Sequence, residues 1–258
     1  MTVYVFDGTM DGLLSAVFDA FLLKEEPDQL LTGGDVLPLF CERIYKVATD
    51  IDKAQRVWTG LEKKLPQEAL RMISTSQLSE SPELWQPLFM FVCKVFRQGC
   101  EMVRNFADPD VLTVTQIARR VAQEAHRMMQ FVRFQKAKDG TYLAVISPDQ
   151  NVLPLIIHHF HDRFNDQPWL IYDAHRHYGY HYDGLSQPIR ITFEDETSVP
   201  FSLKDGKLTN DILSSDDHLL QDLWRTYFKA ICIRERLNPR KQLNDMPRRY
   251  WKNLTEKQ

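Results

Sequence analysis

The hydrophobic period of this sequence changes at residues 131–146, which read FVRFQKAKDGTYLAVI. Two apolar runs, 131–136 and 141–146, flank an Asp139-Gly140 pair. Asp-Gly is favoured in the tight turns of hairpins, because these turns need residues that tolerate positive φ. The stretch therefore predicts a β-hairpin. It also separates two parts of the chain whose apolar residues recur with different periods.

The part before the hairpin is mostly helical by pattern. Apolar residues recur at helical spacing, and Thr49 or Asp50 and the Ser81-Pro82-Glu83 stretch have the chemistry of helix starts. Glycines at 8 and 12 mark a turn directly after the first strand. The predicted elements of this part are strands at 3–6 and 43–48 and helices at 13–24, 50–64, 81–103 and from 113 onward.

The part after residue 130 reads mainly as strands, with two helices among them. Turns are expected at Asp183-Gly184 and Asp205-Gly206. The expected elements are the hairpin, strands at 169–172, 178–182 and 189–193, and helices at 151–164 and 216–235, with His159 on the core side of the first helix.

This order of elements predicts an α+β fold. The N-terminal half is mostly helical, and the C-terminal half is a mainly antiparallel sheet with helices and a basic C-terminal tail. The boundaries are 1–129 for a mostly helical region opening with a short strand and 130–258 for the second region. The two regions are either separate or one continuous domain.

Composition predicts an ordinary globular protein of the cytoplasm without a membrane partner. The chain has 43% hydrophobic and 26% charged residues, and no apolar run approaches the roughly 18 to 20 residues that span a bilayer. The opening residues, MTVYVFD, lack the cationic start of a signal peptide. Four cysteines without a CxxC pair favour buried thiols in a reducing compartment.

The charge is distributed unevenly. The whole chain has a net charge of −3, whereas residues 234–252 contain seven cations and two anions, a net charge of +5. Because residues 253–258 are neutral overall, the first 233 residues carry −8. A basic segment on an acidic body is typical of polyanion binding, and equally of a clasp that folds back on its own body. The seven cations are Arg234, Arg236, Arg240, Lys241, Arg248, Arg249 and Lys252.

Several common catalytic and cofactor motifs are absent from the sequence. It has no Walker A loop, GxGxxG, GxSxG or HExxH motif. Nucleotide hydrolysis, a dinucleotide cofactor and serine hydrolase chemistry therefore have no support, and no cofactor is expected.

Six stretches together resemble one bacterial family. They are YVFDGTMDGLL at 4–14, HRMMQFVRF at 126–134, HFHDRF at 159–164, WLIYD at 169–173, ERLNPR at 235–240 and MPRRYWK at 246–252. The chain resembles the SAM-associated probable DNA metabolism protein family, a domain of unknown function, over nearly its whole length. The MPRRYWK stretch is the most distinctive part of this resemblance.

The resemblance implies a role in DNA metabolism beside a radical-SAM protein of DNA modification or repair. Members of that family are typically encoded with such a protein, and some are fused to a uracil-DNA glycosylase-like domain. This chain has no CxxxCxxC motif, so the radical chemistry would belong to the partner. The resemblance assigns no catalytic residue.

The basic segment is the main candidate for contact with DNA. Cations favour phosphate binding through release of counterions, and aromatic rings stack on exposed bases. The cations of the helix beginning at Thr113 extend this surface if they do not merely face solvent. The alternative is that Tyr250 and Trp251 hold the segment on the body while its cations pair with acids. The candidate residues are Arg127, Arg133, Arg240, Lys241, Arg248, Arg249, Tyr250, Trp251 and Lys252.

Weaker candidates would support a metal-dependent DNA-processing enzyme instead. His158, His161 and Asp162 share one helix face, as ligands of a divalent metal would, although their spacing matches no specific motif. Asp7 and Asp11 follow the first strand, where turn chemistry is the common role of Asp-Gly. Asp173 ends a strand near Arg176, where a structural ion pair is the more common role. A non-catalytic module that binds only protein partners is the third alternative.

Overall fold

The computed structural model describes residues 1–193, 212–230 and 238–254. The chain divides into two compact units, residues 1–122 and 123–258. Among the described residues, no helix combines the length and the apolar character that crossing a bilayer requires.

The first unit contains a small sheet and five α-helical segments that pack around one core. Thr9 caps the first helix, with its Oγ accepting a hydrogen bond from Gly12 N at 3.0 Å. Asp50 caps the second helix by accepting from the amides of Asp52 and Lys53. The elements are β1 (Thr2–Phe6), α1 (Met10–Leu23), β2 (Gln29–Thr32), β3 (Arg43–Lys46), α2 (Ile51–Lys64), α3 (Gln67–Ser76), α4 (Trp85–Gln98) and the start of α5 (Pro109–Phe131).

The three strands of this unit form a parallel sheet in the order β2-β1-β3. Val3 of the central strand lies opposite Gln29 on one side and Ile44 on the other. The sequence did not predict β2, because its four residues contain only one buried side chain, Leu30, and show no clear alternation. The central strand is buried by its neighbours, which explains its continuous apolar pattern.

The long helix predicted over 81–103 is three separate pieces. Short 3-10 helices at Pro82–Leu84 and Cys100–Arg104 flank α4. Gly99 has a φ of +88°, a conformation that few residues other than glycine adopt, and it ends α4. The apolar run continues past this glycine, so apolar spacing alone did not reveal the break.

The second unit contains a five-stranded sheet in the order β4-β5-β6-β7-β8. The predicted hairpin is confirmed as β4 paired with β5, with Gly140 at a φ of +88° in its turn. The elements are β4 (Gln135–Lys136), β5 (Tyr142–Ile146), α6 (Leu153–Arg163), β6 (Trp169–Asp173), β7 (Tyr178–Tyr182), β8 (Ile189–Ile191), α7 (Ser215–Ala230), α8 (Pro239–Asp245) and a 3-10 helix at Arg248–Asn253.

The α+β class is confirmed, and the sheet of the second unit is mixed. β5 and β6 are parallel, while the other three pairs of neighbouring strands are antiparallel. The parallel pair follows from α6, which connects β5 to β6, since parallel neighbours need a long crossover. The prediction that His159 faces the core is wrong, because its side chain is exposed and Ile156, Ile157 and Phe160 face the core instead.

Some predictions fall on residues outside the described ranges. These are the Asp205-Gly206 turn, the last predicted turns of the helix beyond Ala230, Cys232, and the cations Arg234 and Arg236.

Candidate nucleic-acid interface

The described part of the basic segment is held on the second unit by two buried side chains. Tyr250 is 3% exposed and Leu254 is fully buried. The ring centroid of Tyr250 lies 5.6 Å from that of Phe131 at the end of α5. The 3-10 helix that carries Tyr250 also contacts β5. Apolar burial therefore fixes the course of this segment.

A buried carboxylate, Glu124 of α5, is the polar centre of the attachment. It is 3% exposed and accepts a hydrogen bond from the Tyr250 hydroxyl at 2.6 Å. The backbone amides of Asp149 and Gln150 donate to its two oxygens at 3.2 and 2.8 Å. A buried carboxylate without hydrogen-bond donors strongly destabilises the folded state. The three donors offset the free-energy cost of burying Glu124.

Arg249 supplies the positive charge at this centre. Its guanidinium lies 3.1 Å from Glu124 Oε1 and 2.7 Å from Asp149 Oδ2. It also donates to the Tyr250 hydroxyl at 2.7 Å and lies 4.8 Å from the centroid of that ring. One predicted DNA ligand is thus engaged with two acids of its own unit, as in a clasp.

The Tyr250 hydroxyl is held in its neutral form. Burial raises the pKa of Tyr250 to about 12, and the hydrogen bond to Glu124 acts in the same direction. The phenol therefore donates to the carboxylate at any physiological pH.

The four other described cations of the segment have exposed side chains, and 43% of the Arg249 side chain is exposed as well. Arg240, Lys241, Arg248 and Lys252 are all exposed. Lys241 pairs with Asp245 one turn further along α8, at 2.8 Å. The guanidinium of Arg248 lies 5.7 Å from the ring centroid of Trp251. Positive charge and a half-buried aromatic ring thus occur together in this segment.

Trp251 is half-buried, and its indole donates to the backbone carbonyl of Met246 at 3.0 Å. This bond fixes the indole relative to the backbone at the start of the 3-10 helix. The ring therefore has a defined orientation beside Arg248, although it is only partly covered.

The two candidate arginines of the second unit near α5 have different surroundings. Arg127 is half-buried and lies one turn after Glu124 and one turn before Phe131, both of which touch Tyr250. Residues at this spacing share a helix face, so Arg127 lies beside the attached segment. Arg133 instead donates to the carbonyls of Gln130 and Val132.

The histidine candidates do not form a metal centre in the part of the chain that the structure describes. No group of three or more His, Cys, Asp or Glu side chains there is arranged to hold an ion. His158 and Asp162 are exposed on α6. His161 packs edge-on against Tyr182, and its Nδ1 lies 3.5 Å from Asp162 Oδ1.

Asp173 is fully buried at the end of β6. Arg176 donates to it at 2.9 Å, and the amides of His175 and Arg176 donate to its other oxygen. Burial raises the pKa of Asp173, and the bonds from Arg176 only partly offset this effect. The Arg176 guanidinium also donates to the carbonyls of Pro148 and Asp149. Arg176 thus holds the loop that follows β5 next to the end of β6.

Asp7 and Asp11 lie at the carboxyl end of β1 in the first unit. Asp7 accepts hydrogen bonds from the hydroxyls of Thr9 and Thr49, both at 2.7 Å. Partial burial raises the pKa of Asp7, but these bonds outweigh it and hold the pKa below its ordinary value. Asp11 lines an open groove of about 470 Å³ with residues of α1, α2 and α3. Asp7 thus bonds to the residues that lie just before α1 and α2.

The sequence patterns did not predict Glu124 and Asp149 as residues of the site. Glu124 lies on the apolar stripe of α5, seven residues after Ile117 and three after Val121, both buried. An acid at a core position must have a partner, and that conflict was the available signal. The partner itself, Arg249, lies 125 residues away in the chain.

These features define a mixed α+β unit that carries an anchored segment with exposed cations and an aromatic ring. Residues 82–256 match the model of a domain of unknown function, DUF4130, and the chain belongs to this family. The matched region includes every described residue of the second unit and the last part of the first. A search of curated proteins found no match.

One solved structure similar to this chain is a pGpG-specific phosphodiesterase, PggH from Vibrio cholerae. The sequences are 12% identical, and the alignment covers 89% of this chain and 99% of the other with a TM-score of 0.28. A similarity this low does not establish a shared fold.

Proposed function

We propose that this protein is a DNA-binding accessory protein of DNA repair or modification that acts with a radical-SAM partner. The observation that carries the proposal is the division of the basic segment into an anchored side and an exposed cationic side. Residues 238–254 contain five cations and one acid, a net charge of +4. Tyr250 and Leu254 fix the backbone that presents them.

Anchoring favours binding because it reduces the entropy lost when the segment engages DNA. A disordered cationic segment would have to be ordered on the duplex, at a free-energy cost for each residue. In this segment the side chains of Arg240, Arg248 and Lys252 are exposed on a backbone that is already fixed. Each phosphate that they neutralise releases counterions, which makes the affinity depend on salt.

The Arg248–Trp251 pair adds a second kind of contact. Base–aromatic stacking contributes about 1–3 kcal/mol per base and is tolerant of sequence. The indole is oriented by its bond to Met246, with the Arg248 guanidinium beside it. This arrangement supports contact with an unpaired or displaced base as well as with the phosphate backbone.

The partnership with a radical-SAM protein rests on the sequence resemblance alone. This chain contains no CxxxCxxC motif for an iron–sulfur cluster. The proposed division of labour therefore gives DNA contact to this chain and radical chemistry to the partner.

The binding test measures affinity for single-stranded and duplex oligonucleotides as a function of salt. The wild-type protein should bind at low ionic strength, with log K falling linearly against log [salt]. Arg248→Gln should weaken binding to all sequences and reduce that slope by about 1, since one phosphate contact is lost.

The matched control is Arg163→Gln. Arg163 is an exposed arginine of the same unit, and its guanidinium also lies 5.7 Å from an aromatic ring, that of Phe164. The Arg163→Gln variant should leave the affinity for DNA and the slope of log K against log [salt] unchanged. Absence of binding by the wild-type protein at low salt, or equal losses in the two variants, would refute direct contact of DNA by the basic segment.

A pull-down of the radical-SAM protein with and without nuclease tests the partnership. A complex that forms only when DNA is present supports a DNA-bridged assembly. A complex that survives nuclease, from a protein without DNA affinity, would identify a protein-interaction module instead.

A further inference from the structure

The parallel sheet of the first unit has a point where its strand order reverses. β2, which follows α1, lies on one side of β1, and β3 lies on the other side. In parallel sheets flanked by helices, ligands bind beside the carboxyl ends of the strands at such a point. Here that point is between β1 and β3, where the chain leaves the two strands and enters α1 and α2.

The open groove of about 470 Å³ that Asp11 lines extends from the start of α1 to the start of α2. Its volume is in the range of about 300 to 1,000 Å³ that is usual for small-molecule sites. It is here called the α1–α2 groove, and its lining includes Asp11, Ile51, Gln55, Trp58 and Gln77. All five residues belong to the first unit.

Trp58 gives the groove an aromatic wall. Its indole N–H donates to Glu62, one turn further along α2, at 2.8 Å, and this bond fixes the ring on the helix. The Trp58 side chain is half-buried, and Ile51, seven residues earlier on the same helix face, is 72% exposed. Aromatic and apolar side chains of this kind are the surfaces on which planar bases stack.

Three polar side chains of the groove are without a partner in the described part of the chain. The carboxylate of Asp11 and the carboxamides of Gln55 and Gln77 make no hydrogen bond or ion pair with residues 1–193, 212–230 or 238–254. None of the described residues that line the groove is a lysine or an arginine. The groove therefore offers hydrogen-bond acceptors and donors without a positive charge, which suits a neutral ligand that has both.

We propose that the α1–α2 groove binds a guanine base that stacks on Trp58 and donates its N1–H and N2–H₂ groups to the two carboxylate oxygens of Asp11. A carboxylate accepts two parallel hydrogen bonds and donates none. Of the common bases, guanine alone has two adjacent donor groups on its Watson–Crick edge. Its O6 and N7 atoms are acceptors for the amide donors of Gln55 and Gln77.

Other ligands match these side chains less well. A lysine or arginine side chain of a protein partner has only donors, so the amide donors of Gln55 and Gln77 would be left without an acceptor. Adenine, cytosine and thymine each have one donor group on the Watson–Crick edge, so one oxygen of Asp11 would stay unpaired. A phosphate would lie beside the Asp11 carboxylate with no cation of the groove to bind it.

The first test is calorimetric titration of the whole chain with nucleosides. Guanosine should bind. Inosine lacks only the N2 amine of guanosine and should bind about tenfold more weakly, because one hydrogen bond to a charged group is lost. Adenosine should bind more weakly still. Arg248→Gln should leave the affinity for guanosine unchanged, because guanosine has no phosphate for the basic segment to bind.

Asp11→Asn should change the preference of the groove as well as weaken it. The new amide N–H₂ would face the N2 amine of guanine, so the affinity for guanosine should fall by about a hundredfold. Xanthosine has a carbonyl oxygen in place of that amine, so its affinity should rise in the same variant. Trp58→Ala should lower the affinity for guanosine by about tenfold or more, because the stacking surface is lost.

The matched control for Asp11→Asn is Asp52→Asn. Asp52 is the second residue of α2 as Asp11 is of α1, and both side chains are exposed. Both acids stabilise the start of a helix, but Asp52 does not line the groove. Asp52→Asn should therefore bind guanosine as the wild-type protein does. Circular dichroism of each variant checks that the fold is kept.

Oligonucleotides distinguish a base of DNA from a free nucleoside as the source of the guanine. A thymine tract with one guanine should bind the wild-type protein more tightly than the same tract with adenine at that position, and Asp11→Asn should remove the difference. Equal binding of the two tracts, with guanosine still bound, would assign the groove to free guanine nucleosides. Both results support a guanine site.

Three results would overturn the proposal. They are no binding of guanosine up to its solubility limit, equal affinities for guanosine and adenosine, and equal losses of guanosine affinity in Asp11→Asn and Asp52→Asn. A lysine-rich peptide that displaces guanosine and binds more tightly would assign the groove to a protein partner and also overturn it. Guanosine binding without DNA binding would refute the proposed function alone, so the two failures are distinguishable.

Discussion

Arg248 and Arg249 are neighbours with the same side chain, but their side chains have different contacts. Arg249 lies against Glu124, Asp149 and Tyr250, whereas Arg248 is exposed beside Trp251. The comparison shows that a count of cations overstates the charge available to a polyanion. Of the five described cations, Arg249 and Lys241 already contact acids of their own unit.

The same comparison bears on the two interpretations that the composition left open, which are polyanion binding and a clasp on the chain's own acidic body. Self-docking and DNA contact need different residues, and the segment has both kinds side by side. The anchored side is a feature of the structure, while the DNA contact of the exposed side is a proposal. Five variants test this division.

The largest effect is expected from removal of the Tyr250 side chain. Tyr250→Ala should lower the free energy of unfolding of the second unit by about 3–5 kcal/mol, because a large buried ring is lost and Glu124 loses a donor. Chemical denaturation measures this value. Tyr227→Ala, at a side chain that is 55% exposed, should change it by less than about 0.5 kcal/mol. Equal effects at the two positions would contradict the anchoring role.

Neutralising the buried acid should have the next largest effect. Glu124→Gln keeps the shape of the side chain but leaves Arg249 without its buried counter-charge and weakens the bonds from two amides. The expected loss of unfolding free energy is about 2–3 kcal/mol. Asp162→Asn, at an exposed acid of α6, is the control and should be nearly neutral. A loss below about 0.5 kcal/mol in Glu124→Gln would show that the carboxylate is dispensable.

Tyr250→Phe isolates the hydroxyl and should lower the unfolding free energy by about 1–2 kcal/mol at pH 7. It also predicts a dependence on pH. Folding raises the pKa of Tyr250 from its ordinary 10.0 to about 12, so the stability that it adds is present below pH 10 and is lost as pH rises through 12. That loss is about 2–3 kcal/mol.

The measurement is the difference in unfolding free energy between the wild-type protein and Tyr250→Phe from pH 9 to 12. This difference should shrink as pH rises, because only the wild-type protein can ionise at this position. A difference that stays constant over the range would show that the Tyr250 hydroxyl is not buried in solution as it is in this structure.

The smallest effects on stability are expected from substitutions of the two arginines, Arg249 and Arg248. Arg249→Gln should lower the unfolding free energy by about 1 kcal/mol, since its side chain is partly exposed and water screens its ion pairs. Arg248→Gln should change it by less than about 0.5 kcal/mol while it weakens DNA binding. If both variants were neutral in stability and equal in DNA affinity, the two sides of the segment would not be distinct.

Local sequence patterns predicted most of the elements of the fold. The Asp139-Gly140 turn gave the hairpin, and strands at 178–182 and helices ending at Lys64 were placed at or near their observed bounds. The failures have physical causes. β2 is too short to show alternation, the glycine that ends α4 interrupts an apolar run that continues past it, and His159 lies next to His158 on the exposed face of α6.

The sequence predicted which types of residue form the candidate site. Only the structure showed where each of these residues lies and how far it is buried. The sequence indicated that residues 246–252 matter and that cations and rings occur there together. It could not show that Tyr250 is buried while Trp251 is only half-buried, because a 3-10 helix turns adjacent side chains to different sides. The stripe of α5 contained an acid, but nothing nearby in the chain identified its partner.

The amino-acid sequence was enough to predict the α+β class, the hairpin, most helices and the excess of positive charge near residue 250. These depend on turn chemistry, apolar period and composition, which act between residues close in the chain. The contacts of Glu124 with Arg249 and Tyr250, and those of the outward β2 amides with Gln86 and Asp35, are visible only in the tertiary structure. Such contacts join residues far apart in the chain, and burial and hydrogen bonding select among them only when the whole unit has folded.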